Sequence, residues 1–108
     1  MSNKVKTTKV EILWAEGLIE YADKFPMTFD NCTEASRFLM AQDHFPAEGY
    51  DKHKFIVTFE DGETYEGRLD CQSELRDCNI AEHIRGFCHY YGKENKEYAE
   101  FANKYTFN

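Results

Sequence analysis

The stretch Lys52–Asp70 constrains this chain more than any other, because it reads as a β-hairpin in which turn chemistry and strand pattern must agree. Its centre is Glu60-Asp61-Gly62-Glu63. A two-residue Asp61-Gly62 loop pairs Phe59 with Thr64, Val57 with Glu66 and Phe55 with Arg68, which mixes polar and apolar side chains on both faces. A three-residue loop, with Gly62 left-handed in a G1 bulge, pairs Val57 with Tyr65, Phe55 with Gly67 and His53 with Leu69. The opposite face then carries Lys54 beside Arg68, Ile56 beside Glu66 and Thr58 beside Thr64. An antiparallel sheet covered on one side requires one apolar and one polar face, so the bulged turn is predicted.

The other elements follow from periodicity. Lys4–Trp14 alternates Val10, Ile12 and Trp14 with Lys9, Glu11 and Leu13, the pattern of a strand with one apolar face. Ala15–Asp30 contains Gly17 and Pro26 and has no firm period, so it reads as a connector holding at most a short turn of helix. Asn31-Cys32-Thr33-Glu34 has capping-box spacing, and Ala35, Phe38 and Leu39 then share a helical face until Pro46 and Gly49 intervene. A polar stretch, Cys71–Asp77, leads to a second helix over Asn79–Tyr91, with Ile80, Ile84, Phe87, Cys88 and Tyr91 as its stripe and Gly92 at its end. Tyr98, Phe101, Ala102 and Tyr105 lie at helical spacing in a third. The order β-α-β-β-α-α predicts one α+β domain over residues 1–108. A three-stranded antiparallel sheet would carry two to three helices packed on one face.

Composition narrows the class. The 108 residues fit a single core, and nine Phe, seven Tyr and one Trp supply buried area despite 31% charged residues. No apolar run exceeds four residues (Ile12–Ala15 is one), too short to span a bilayer, and the basic start is followed by no secretory-type apolar stretch. The expectation is a cytoplasmic protein with no membrane association. Four cysteines are too few for a disulfide scaffold, and a reducing compartment keeps them as thiols. A net charge of −7 argues against a binder of phosphate backbones. Glu60–Glu82 alone holds eight acidic residues and two arginines. Such a run either solvates a face or attracts a basic partner.

Chemistry-bearing patterns are sparse. Cys71, Cys78, His83, Cys88 and His89 include no CxxC or CxxxC knuckle to seat zinc, so no metal and no cofactor is expected. Cys32 in the first turn of a helix would feel a dipole that favours thiolate, but no flanking motif makes it a nucleophile. Serine elbows, phosphate-cradling glycine loops and HExxH pairs are absent, and no enzyme is expected, hence no catalytic residue. Lys52, Lys54 and Arg68, with Tyr50 and Tyr65 as aromatic neighbours, are too few for direct nucleic-acid binding beside Glu63 and Glu66.

Gly49-Tyr50-Asp51-Lys52-His53-Lys54-Phe55, then Asp61-Gly62-Glu63-Thr64-Tyr65-Glu66-Gly67-Arg68, then Ala81-Glu82-His83-Ile84-Arg85 form an ordered set of motifs. The set resembles the large polyvalent protein-associated domains of phages and conjugative elements, and Ile12-Leu13-Trp14-Ala15-Glu16 is similar to that family's opening strand. The likeness covers most of residues 10–91, and neither the last helix nor the cysteines belong to it. It implies a mobile-element accessory protein, and it carries over no functional residues. Joined to the acidic run, it leads to the expectation of a non-enzymatic inhibitor of a host defence nuclease, of anti-CRISPR or anti-restriction type. The expected partner is a host protein complex with a basic surface. Glu60, Asp61, Glu63, Glu66, Asp70, Glu74 and Asp77 are the candidate partner-binding residues. The alternative is an interaction module that supports plasmid, phage or conjugative-element maintenance through exposed aromatics around Tyr50, Tyr90 and Tyr98.

Overall fold

The hairpin forms as its side-chain pattern requires. The computed structural model describes residues 4–16, 18–41, 50–72 and 79–107. Strands β3 (Tyr50–Phe59) and β4 (Thr64–Gln72) pair antiparallel without interruption, with Val57 opposite Tyr65, Phe55 opposite Gly67 and Thr58 opposite Thr64. Gly62 adopts φ +88°, a left-handed value that costs an L side chain roughly 1–2 kcal/mol. The turn is closed by the Glu63 N–H on the Asp61 carboxylate (3.0 Å) and the Gly62 N–H on the Phe59 carbonyl (3.0 Å). A side chain at Gly67 would meet Phe55 and Tyr65 at 2.8 Å, so the glycine leaves room for both rings.

Strand β1 (Val5–Ala15) lies on the other side of β3, antiparallel, with Val10 opposite Val57 and Ile12 opposite Phe55. The pairing then shifts between Ile12 and Trp14. Trp14 stands opposite Lys54 on the open face, and Ala15, not Trp14, enters the core opposite His53. The expected inward Trp14 is thus corrected: one extra residue in β1 reverses which face the following side chains occupy.

The α+β class and the antiparallel pairing are as expected, but among the described residues the sheet has five strands rather than three. Part of the presumed connector is β2 (Met27–Phe29), which pairs with β1 at residues 10–12 after a 3-10 turn at Ile19–Tyr21. The chain end supplies β5 (Tyr105–Thr106), which runs parallel to β1 at Val5 and Lys6. Both lie along β1, in the order β2-β1-β3-β4, and leave β4 as the far edge. Strands of three and two residues are too short to show a period, so docking on β1 rather than local pattern creates them.

Three helices, among the described residues, complete the fold. In α1 (Cys32–Met40), Asn31 accepts the Glu34 N–H, and Cys32, Ala35, Ser36 and Leu39 are buried. In α2 (Ile80–Tyr91), Asn79 accepts the Glu82 N–H, and Ile80, Ile84 and Cys88 are buried. The Ser36 hydroxyl accepts the Ile80 N–H at 2.9 Å and ties the two helices together. The third helix, α3 (Lys96–Lys104), buries no residue fully and stops one residue before the expected Tyr105. Tyr105 is extended there, and Tyr105 and Phe107 turn inward at period two onto Phe59. The core lies between helices and sheet, with Val10, Ile12, Phe55, Val57, Phe59, Leu69, Ile80 and Ile84 almost fully buried.

Candidate functional site

Among the described residues, the acidic run does not form one row. Glu60 closes the end of the β1–β3 ladder: its N–H donates to the Lys6 carbonyl and its carboxylate accepts the Lys6 N–H, both at 2.9 Å. Asp61 ties the hairpin tip to the chain end. Its Oδ2 accepts the Tyr105 hydroxyl at 2.7 Å and lies 3.5 Å from the Lys104 ammonium. The Tyr105 hydrogen bond is the main reason that its carboxyl is held below the ordinary aspartate value. Glu66 lies on the open face of the sheet, where it pairs with Lys54 at 2.7 Å. Asp70 is placed by register only, opposite Lys52 and about 20 Å along the strand from the tip. Glu74 and Asp77 lie outside the described residues.

What the tip carboxylates meet instead is α3. Asp61 and Glu63 face Glu97 and Glu100 across an open cleft of about 590 Å³, which Phe101, Lys104 and Tyr105 also line. Four carboxylates around one lysine make this a strongly negative surface, and Glu63, Glu97 and Glu100 are exposed. The sequence does space Glu97 and Glu100 three apart, on one side of a helix. What was not legible is that this side would face the tip of a hairpin more than thirty residues earlier. Glu97 also stands in the first turn of α3, where a carboxylate complements the helix dipole.

The remaining chemistry is muted. Cys32 is fully buried, and burial pushes its thiol up to about 12, which overrides any preference for thiolate from the helix start. Burial raises the Cys88 thiol as well. His83 packs edge-on to the Phe55 ring, and His89 is exposed on α2. Cys78 lies outside the described residues, as do the side-chain contacts of Cys71. Among the described residues no three His, Cys, Asp or Glu side chains group closely enough to hold a metal ion. No helix among them is long and apolar enough to cross a membrane.

Tyr65 lies on the covered face against Phe55, Phe87 and Phe101, as the bulged register predicted, so its reading as an aromatic neighbour of Lys54 and Arg68 is corrected. Trp14, 38% exposed, takes that place on the open face. The apolar run Ile12–Ala15 carried the signal for this, because it breaks alternation where the bulge falls. On α2, Tyr90 and Tyr91 are 69% and 45% exposed and pack edge to face at 5.0 Å. Tyr91 leans on Phe87 and on the half-buried Tyr98. Compared with known proteins, the chain matches no family model, no curated protein and no solved structure.

Proposed function

We propose that this chain is a non-enzymatic accessory protein of a mobile element that binds a basic surface on a host protein complex, a defence nuclease in the leading reading. The observation that carries the proposal is the convergence of Asp61 and Glu63 with Glu97 and Glu100 on one exposed cleft. Clustered carboxylates on a protein of net charge −7 speed encounter with a basic channel and compete there with nucleic-acid phosphates. Glu63 stays central, Asp61 is both wall and brace, and Glu97 and Glu100 join. Glu60 serves the ladder, and Glu66 faces elsewhere.

The test is a cleavage assay with a restriction or CRISPR nuclease recovered by the tagged protein from nuclease-treated lysate. Addition of the protein should lower cleavage, and the triple reversal E63K/E97K/E100K should abolish the effect with an unchanged circular dichroism spectrum. Inhibition that survives the reversal removes the acidic-mimic mechanism. The exposure of Tyr90 and Tyr91 favours a second reading, an interaction module for element maintenance with no defence target. Salt separates the two. Charge-steered binding weakens steeply as ionic strength rises, whereas binding lost in Tyr90→Ala and indifferent to salt belongs to the aromatic patch.

A further inference from the structure

Strand β4 is the outer edge of the sheet, and among the described residues no strand pairs with its far side. Backbone directions along it follow from the turn. The Phe59 N–H donates to the Glu63 carbonyl, and every second pair of an antiparallel ladder repeats that exchange. The bonded pairs with β3 are therefore Val57–Tyr65, Phe55–Gly67 and His53–Leu69. The N–H and C=O groups of Thr64, Glu66, Arg68 and Asp70 then point away from β3, toward the edge. Edge strands are commonly shielded by proline, charged side chains or a bulge. From Thr64 to Gln72 there is no proline and the register with β3 is unbroken, and the charges at Glu66, Arg68 and Asp70 alternate in sign, so they repel a partner only in the wrong register.

We propose that β4 pairs antiparallel with β4 of a second copy of this chain, on a two-fold axis through Gly67. Charge selects that partner and that register. About Gly67, Glu66 stands opposite Arg68 of the other copy, twice by symmetry, and Thr64 opposite Asp70. Shifting by one bonded pair sets Arg68 against Arg68 and Glu66 against Asp70, or Glu66 against Glu66; like charges directly opposed disfavour both. A pivot at Leu69 also opposes unlike charges, Arg68 to Asp70. Leu69 is only 1% exposed, however, so its side chain is already covered, whereas Gly67 has no side chain to obstruct a close approach. Arg68 is exposed, and among the described residues no carboxylate pairs with it, so its guanidinium is available to the second copy. A closed two-fold pairing of this kind joins two five-stranded sheets into one and removes the free edge.

The experiment is sedimentation equilibrium of the full chain over a wide concentration range, with three variants: Glu66→Arg, Arg68→Glu and the double exchange. Both side chains are exposed, and the Lys54 pair that Glu66→Arg also removes is a surface pair of small worth, so the fold should persist, and circular dichroism checks that it does. The expected result is a wild-type dimer that each single reversal weakens by on the order of tenfold or more, because two symmetric pairs turn repulsive, and that the double exchange restores. A chain that stays monomeric at every concentration overturns the proposal and leaves the edge to a strand from another protein. A dimer indifferent to Glu66→Arg, or one the double exchange does not restore, overturns the Gly67 register. None of these residues belongs to the proposed acidic cleft, so the two proposals fail independently.

Discussion

The β3–β4 hairpin and the end of β1 are neighbouring parts of one sheet, yet they carry their information differently. In the hairpin, Gly62 sets the bulged turn, the register runs unbroken over nine consecutive pairs, Tyr50–Gln72 to Thr58–Thr64, and the buried side chains alternate from His53 to Phe59. In β1, the register shifts twice, between Thr7 and Lys9 and again between Ile12 and Trp14, and the second shift puts Trp14 outside and Ala15 inside. A hairpin register is set locally, by turn and pattern together. A strand brought in from a distance takes its register from whatever surface it meets, and a bulge is the adjustment.

The largest expected effect comes from breaking the hairpin at its tightest point. Gly67→Ala should destabilise the fold by about 1–3 kcal/mol in urea unfolding, because the new methyl meets the buried Phe55 ring and Tyr65. A neutral or stabilising Gly67→Ala would show that the rings move aside.

Trp14→Ala sharpens the other half of the comparison. A tryptophan facing the core would cost about 3–5 kcal/mol on truncation. On the open face the loss should be closer to about 1 kcal/mol in the same titration, with the intrinsic fluorescence of the native chain already that of a partly wet indole. A core-sized loss would place the side chain inward after all.

The smallest effect is a pH dependence at the hairpin tip. Asp61 has a folded-state value held below its unfolded value of about 4, so its contribution is present above that value and is lost as pH falls through the folded one. Asp61→Asn should lower Tm at neutral pH, and the gap to wild type should close as pH drops below about 4. A gap that stays constant with pH would mean that the Asp61 carboxyl is not held below its unfolded value and that the Tyr105 bond does not favour its charged form.

The acidic site divides in the same way as the fold. Glu60, Asp61 and Glu63 cluster because a turn places consecutive residues together, and that much was visible in the chain order. Glu66 leaves the cluster because side chains alternate faces along a strand, and Asp70 leaves it by distance along β4. Glu97 and Glu100 arrive because Tyr105 and Phe107 seat against Phe59 and draw α3 to the tip.

Local chemistry in the sequence by itself determined the helix cap at Asn31, the bulged turn at Gly62, the hairpin register and the α+β class. Each rests on residues a few positions apart or on a period repeated within one segment. Only the tertiary structure decided the two short strands on β1, the outward Trp14, the extended Tyr105 and the meeting of the hairpin tip with α3. Those depend on which surfaces become available once the core has closed. Burial, unlike capping or turn formation, is a property of the whole chain at once.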